Sequence, residues 1–159
     1  MAVNIARYKY QGQTQWGVVQ EDKLIPVPGE FPTTGLFIEQ MSIADLKALN
    51  CVPVLLSEVT LLSPVTRNQQ FVCQGANYRQ HMIESGMDPD AKHYNMMFTK
   101  AQSCIVAADS PVIIPEHVRF LDYEIELGLV LRSDINGPLE LTEDGLSEVI
   151  AGLVIVNDY

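Results

Sequence analysis

Hydrophobic and polar residues alternate along the first quarter of the chain, which is the pattern of short β-strands. The segments IARYKY, WGVV and KLIPV are separated by the turn-like stretch QGQTQ and by the polar pair Glu21 and Asp22. This period of two, interrupted by turn residues, predicts a small β meander. The stretch VPGEFPTTG that follows is rich in Pro, Gly and Thr and is predicted to be a loop.

Two short helices are predicted from capping residues. Ser42, with Asp45 three positions later, resembles a capping box and predicts a helix through Leu49. Further along, NYRQHMIESG predicts a helix that Asn77 caps and Gly86 ends. The Pro-containing segment VTLLSPV lies between them, and we place a domain boundary near residue 63.

Several strands are expected in the second part of the chain. The segments Gln70–Cys73 and MMFTK predict short strands, LDYEIELGLVLRS predicts the longest one, and LVIVNDY predicts a last strand. Between the last two, LTEDGLSEVIAG predicts a short helix with Thr142 as its N-cap. The pattern therefore indicates an α+β protein that is mainly β with short helices.

Acidic residues share one face of the longest predicted strand. In LDYEIELGLV, side chains alternate between faces, so that Asp122, Glu124 and Glu126 point the same way. A solvent-exposed face would explain carboxylates, but such a face usually carries interspersed Lys or Arg, and no basic residue occurs before Arg132. The repulsion within this row suggests a positively charged partner.

A further carboxylate, Asp158, follows the apolar run LVIVN. Burial of a carboxylate at the end of such a strand is costly unless a partner or a metal compensates its charge. Two Glu at positions i and i+2, with one Asp from a neighbouring strand, would supply hard oxygen ligands for Mg²⁺, Mn²⁺ or Ca²⁺. On the predicted helix of the second part, His81 and Glu84 are three residues apart and share a face, as an acid–base dyad would.

Composition and charge limit the classes of partner. The chain has 159 residues, of which 47% are hydrophobic and 19% charged, which fits one or two small globular domains. Its net charge of -10 argues against nucleic acid and anionic membranes as partners. No signal pattern or membrane span is found, so a cytoplasmic location is expected, and the three widely spaced cysteines form neither a disulfide framework nor a zinc motif.

The succession GANYRQH, FTK, PVIIP, LDYEIELGLVL and AGLVIVNDY resembles the catalytic domain of the fumarylacetoacetate hydrolase family, in order and in spacing. The resemblance covers residues 64–159. Residues 1–63 resemble the small N-terminal β domain that many bacterial members carry. The resemblance implies a mixed β-sheet and barrel catalytic domain of which this chain holds the first part.

Residue roles follow from the same resemblance. It implies that His81 and Glu84 form a catalytic dyad in which Glu84 orients the imidazole, and that Lys100 binds substrate. It assigns a Mg²⁺ ion, or Mn²⁺ or Ca²⁺, to Glu124, Glu126 and Asp158. Asp122 is expected to stay outside the metal's direct ligands, and His93 and His117 are expected to be ordinary histidines.

The implied activity is divalent-metal-dependent hydrolysis or lysis of C–C bonds in 2-oxo or 2,4-dioxo acids, as in fumarylacetoacetate or acylpyruvate hydrolases. A decarboxylase or an isomerase of the same family is the first alternative. Because the family pattern continues beyond NDY, the chain is expected to be a fragment of a longer enzyme or a non-catalytic remnant that acts as a binding module. The resemblance also implies a small-molecule 2-oxo acid as ligand and a homodimer.

Overall fold

The computed structural model describes residues 2–91 and 94–159, which group into two compact units. One unit comprises the residues up to Val65 together with Ala107–Tyr159, and the other comprises Thr66–Val106. The strand pairs of the described residues are all antiparallel, and their helices are short. This confirms the prediction of a mainly β protein, whereas the division into domains at residues 1–63 and 64–159 stays a prediction.

The N-terminal residues form a five-stranded sheet with the order β4-β3-β2-β1-β5. Its first hairpin turns at Gln11 and Gly12, which have φ values of 48° and 83° and therefore suit the tight two-residue turn between Tyr10 and Gln13. The predicted meander is confirmed, although its second strand starts earlier than the WGVV segment. The strands are β1 (Ile5–Tyr10), β2 (Gln13–Gln20), β3 (Lys23–Pro26), β4 (Val54–Leu55) and β5 (Thr60–Leu62).

An aromatic cluster forms the core beneath this sheet. The Trp16 and Phe37 rings stack with centroids 4.3 Å apart, and Phe31 meets Phe37 edge to face at 5.3 Å. The indole N–H of Trp16 donates to the carbonyl of Phe31 at 2.8 Å, so that the one polar atom of the buried ring is satisfied. Four further buried residues complete the cluster: Val18, Ile25, Val27 and Leu46.

Two helices follow the meander, and one of them was not expected. Helix α1 (Thr34–Gln40) begins inside the segment predicted as a loop, because the Thr33 hydroxyl accepts the Leu36 N–H and so starts a helix after the Pro- and Gly-rich stretch. Helix α2 (Ile43–Lys47) has the predicted capping box, with Ser42 and Asp45 each bonding the other's backbone N–H. That prediction is confirmed.

The described residues of the unit Thr66–Val106 form one antiparallel strand pair, one α-helix and a 3-10 turn at Gln102–Cys104. Strand β6 (Val72–Gly75) pairs with β7 (Met96–Thr99), and α3 (Arg79–Glu84) lies between them in the chain. The predicted cap at Asn77 is wrong: the helix begins one residue later than that cap would require, and Tyr78 occupies the N-cap without a side-chain cap bond among the described residues. The predicted stop at Gly86 agrees with its φ of 74°.

The last elements form a second hairpin. Strand β8 (Ile125–Leu131) pairs with β9 (Ile150–Asn157), and α4 (Leu146–Val149) precedes β9 directly. The N-cap of α4 is Gly145, so the predicted cap at Thr142 is wrong; Thr142 instead accepts the Gly145 N–H through its backbone carbonyl. Among the described residues, no helix has the length and apolar character needed to cross a membrane.

The two faces of the β8–β9 hairpin differ in exposure. Glu126, Val130 and Val156 are half-buried on one face. The other face, which we call the exposed apolar face, carries large aliphatic side chains that are 55 to 78% accessible. Its members are Ile125, Leu127, Leu129, Leu153 and Ile155.

Candidate functional site

Three acidic side chains share one face at the open end of the β8–β9 hairpin. The register pairs Ile125 with Asn157 and Glu126 with Val156, and directly before β8 the backbone carbonyl of Glu124 accepts the Asp158 N–H at 2.8 Å. Glu124 and Asp158 are therefore opposite each other, and residues opposite each other in an antiparallel pair project from the same face. Glu126, two residues after Glu124, lies on that face too. The structure thus brings the three predicted ligands to one end of one hairpin.

Asn157 fastens this end of the hairpin, a role that the sequence analysis did not assign. Its side-chain oxygen accepts the backbone N–H of Glu124 at 2.9 Å. The bond fixes the residue that carries the first carboxylate just where the regular ladder stops. An Asn directly before the acidic residue at a strand end is the sequence feature that indicates such a clamp.

The donor chemistry of these residues fits a hard divalent cation, because three carboxylates supply oxygen ligands only. Their side chains do not converge: within residues 2–91 and 94–159, no group of three His, Cys, Asp or Glu side chains is arranged to hold a metal ion. Asp122 is occupied locally, since its carboxylate accepts the Tyr123 N–H at 2.9 Å. The metal site at Glu124, Glu126 and Asp158 stays a prediction.

Helix α3 carries the predicted dyad on its exposed surface. His81 and Glu84 are both exposed. The Glu84 carboxylate accepts a hydrogen bond from the Gln80 side-chain amide at 2.9 Å, and no hydrogen bond joins it to His81 among the residues that the structure describes. The bond from Gln80 uses one carboxylate oxygen and leaves Glu84 able to accept another donor. The dyad stays a prediction.

An ion pair links the start of α3 to the loop that follows the helix. The Arg79 guanidinium donates to both carboxylate oxygens of Asp90, at 2.7 and 3.0 Å. These hydrogen bonds, and then the positive charge of Arg79, lower the pKa of Asp90 below its ordinary value. The Asp90 N–H in turn donates to the Asp88 carboxylate at 2.9 Å. The loop is thus held against the helix that carries His81.

The remaining predicted residues are placed as follows. Lys100 comes directly after β7, where its backbone N–H donates to the Phe71 carbonyl at 3.3 Å. It belongs to the same unit as His81 and Glu84, whereas the three carboxylates belong to the other unit. His117 lies exposed in a turn, and His93 lies outside the described residues.

Comparison with known proteins finds relatives that match most of the chain. A 2,4-didehydro-3-deoxy-L-rhamnonate hydrolase from Sphingomonas sp. (strain SKA58) is 29% identical over 157 residues, covering 98% of this chain and 53% of that protein. The oxaloacetate tautomerase FAHD2A from Homo sapiens is 35% identical over 127 residues, 77% of this chain and 39% of that protein. The chain therefore spans about half the length, or less, of these relatives.

Solved structures share the fold. The fumarylacetoacetate hydrolase EaFAH from the psychrophilic bacterium Exiguobacterium antarcticum superposes with a TM-score of 0.72 at 26% identity, over 99% of this chain and 56% of that one. Cg1458 superposes with a TM-score of 0.69 at 18% identity, over 99% of this chain and 53% of that one. At this identity the similarity concerns the fold alone.

Family profiles match both parts of the sequence. Residues 4–64 match the profile described as Rv2993c-like, N-terminal. Residues 70–159 match the profile described as fumarylacetoacetate (FAA) hydrolase, C-terminal, and this range contains every predicted site residue. The chain belongs to the fumarylacetoacetate hydrolase family.

Proposed function

We propose that the protein is a divalent-metal-dependent hydrolase or lyase that cleaves a C–C bond in 2-oxo or 2,4-dioxo acids. The observation that carries the proposal is the common face of Glu124, Glu126 and Asp158 at the clamped end of the β8–β9 hairpin. Membership of the family, and the hydrolase named among the relatives, support it. Mg²⁺ is the proposed ion, with Mn²⁺ or Ca²⁺ as alternatives.

The three carboxylates would hold the ion, which when bound would supply positive charge against the 2-oxo oxygen and carboxylate of the substrate. Lys100 would add a second positive charge at the substrate. His81 would take a proton from water that attacks the distal carbonyl, and would return it to the carbon that leaves. Glu84 would orient the imidazole and stabilise its protonated form.

A second candidate is an isomerase activity, because several relatives are named oxaloacetate tautomerases. One of them, YisK from Bacillus subtilis (strain 168), is 37% identical over 105 residues, 65% of this chain and 34% of that protein. Tautomerisation needs the same charge at the 2-oxo oxygen and a proton acceptor, but no attack by water. Two further alternatives are a decarboxylase and a non-catalytic remnant that acts as a binding module. We also propose that the protein forms a homodimer and is cytoplasmic.

The test compares His81→Ala with His117→Ala in the protein as its gene encodes it, with Mg²⁺ present. Loss of a positioned base should slow hydrolysis of an acylpyruvate by roughly 10² to 10⁴. Affinity for oxalate, an inert analogue that has no distal carbonyl, should stay within about twofold, and His117→Ala should behave as wild type. Glu84→Gln should have a smaller effect than His81→Ala.

Three outcomes decide between the candidates. Hydrolysis that depends on His81 supports the proposed function. Exchange of the C3 protons of oxaloacetate without cleavage of any acylpyruvate would favour the tautomerase. Turnover of His81→Ala at the wild-type rate would show that the dyad is assigned wrongly.

A further inference from the structure

Two different hydrogen bonds close the acidic end of the β8–β9 hairpin. The Asp158 backbone N–H donates to the Glu124 carbonyl at 2.8 Å, as in a regular ladder. The Glu124 N–H, however, donates to the side-chain oxygen of Asn157 at 2.9 Å. At this pair a side chain therefore supplies the acceptor that a backbone carbonyl supplies in a regular antiparallel pair.

The Asn157 side chain reaches this N–H from the other face of the hairpin. Asn157 is paired with Ile125, which belongs to the exposed apolar face, whereas Glu124, Glu126 and Asp158 project from the opposite face. The carboxamide of Asn157 is therefore not a member of the carboxylate face. Its position allows it to orient the backbone of Glu124 without adding a ligand to that face.

The clamp marks the point at which the ordered row of carboxylates ends. Glu126 lies within β8, where strand pairing fixes its backbone. Glu124 lies just before β8, so its backbone depends on the bonds to Asn157 and Asp158. Asp122 lies further out, and its carboxylate accepts the N–H of the next residue at 2.9 Å. The side chain of Asn157 thus extends the ordered backbone to Glu124.

We infer that Asn157 is a positioning residue for the proposed metal site, because it holds the backbone of Glu124 opposite Asp158 and so aligns two of the three ligands. The inference rests on the proposed function and deepens it. Three carboxylates on one face repel one another, and a fixed backbone lowers the cost of bringing two of them to one cation. Groups that orient metal ligands typically contribute roughly 10- to 100-fold to metal affinity.

The test measures the dissociation constant of Mg²⁺ by calorimetry with the protein as its gene encodes it. Asn157→Leu keeps the approximate size of the side chain but has no acceptor, and it should weaken Mg²⁺ binding roughly 10- to 100-fold. A melting curve without Mg²⁺ confirms that the variant is folded. Because the bond is exposed to solvent, the midpoint of that curve should change little.

Asn157→Asp restores an acceptor oxygen and should recover most of the lost affinity. Titrations at roughly 1 M KCl, where the Debye length is about 3 Å, screen the charge that this variant adds. Asn95→Leu is the matched control, because the side-chain oxygen of Asn95 accepts a hydrogen bond from the Gln74 amide at 3.0 Å beside the other strand pair. Its dissociation constant for Mg²⁺ should equal that of the wild type.

The outcomes separate the inference from the proposed function. Wild-type affinity in Asn157→Leu overturns the inference, and so does binding by Asn157→Asp that is as weak as that of Asn157→Leu. In either case, weaker binding by Glu124→Gln leaves the proposed function standing. If the wild type does not bind Mg²⁺, or if Glu124→Gln binds it as tightly as the wild type, the proposed metal site is wrong, and the inference with it.

Discussion

At the scale of single residues, the capping box at the start of α2 depends on the charge of one carboxylate. The Asp45 carboxylate accepts hydrogen bonds from the Ser42 hydroxyl and from the Ser42 backbone N–H. These two bonds, the hydroxyl first, lower the pKa of Asp45 below its ordinary value of 3.8. The ionised carboxylate is therefore the form that stabilises the helix end.

The contribution of Asp45 to stability should consequently depend on pH. Because its pKa is lower in the folded state than in the unfolded one, the contribution is fully present above the ordinary value and is lost as the pH falls through the folded value. We expect Asp45→Asn to lower the free energy of unfolding at neutral pH, and the difference from wild type to shrink in acid. Urea titrations at several pH values would measure it, with Glu39→Gln, an exposed carboxylate on α1, as control. A difference that persists unchanged in acid would contradict the assignment.

At the scale of elements, the β8–β9 hairpin depends on a glycine for close packing of its strands. A Cβ atom at Gly128 would lie 2.8 Å from a methyl carbon of Val154 and 3.3 Å from the Val154 carbonyl oxygen. Gly152, on the opposite strand, has no atom of the described chain within 4 Å of such a Cβ. Two glycines of one hairpin thus differ in whether they tolerate a side chain.

Gly128→Ala should therefore lower the free energy of unfolding by roughly 1–3 kcal/mol, the usual cost of overpacking, whereas Gly152→Ala should change it little. Denaturant midpoints from circular dichroism would compare the two variants. Equal midpoints would mean that the strands separate enough to admit the methyl group.

Elements with a clear hydrophobic period were predictable, and those fixed by local caps were less so. The meander, β8 and β9 follow from alternation, and α2 follows from Ser42 and Asp45. Helix α1 was missed because the Pro- and Gly-rich segment before it outweighed Thr33 as a cap. Of the candidate site, the residue types and the shared face of the carboxylates were predictable. The Asn157 clamp was not, because it depends on a side-chain partner that no sequence period specifies. The Gln80–Glu84 bond joins residues four apart on a helix, a spacing that the sequence does indicate.

At the scale of the whole molecule, metal binding should be visible as stabilisation. A ligand that binds only the folded state raises the free energy of unfolding, by about 2.7 kcal/mol at 100 times its dissociation constant. We expect Mg²⁺ or Mn²⁺ at millimolar concentration to raise the melting temperature, and Glu124→Gln or Glu126→Gln to abolish the shift. Asp122→Asn is the control that keeps it. If both glutamine variants keep the full rise in melting temperature, the metal binds at other residues.

The exposed apolar face of the hairpin affects the molecule as a whole too. A two-stranded ribbon with one open aliphatic face tends to associate. Sedimentation of the 159-residue chain at rising concentration should therefore show self-association. The double variant Leu127→Thr with Ile155→Thr should reduce it, and Thr is itself a favourable strand residue. Val52→Thr, which replaces an isolated residue that is 85% exposed, is the control. Unchanged association in the double variant would exclude this face as its cause.

The buried position of Trp16 determines what intrinsic fluorescence can report about this protein. Trp16 is the only tryptophan of the chain and is stacked on Phe37 in the core of the N-terminal sheet. Emission excited at the red edge therefore follows the polarity around that core alone, while circular dichroism averages over all the strands. Unfolding curves that coincide by the two methods would show that the chain melts as one cooperative unit; separated curves would resolve the meander from the rest. An emission change on addition of Mg²⁺ and oxalate would measure communication between the ligand and the N-terminal core.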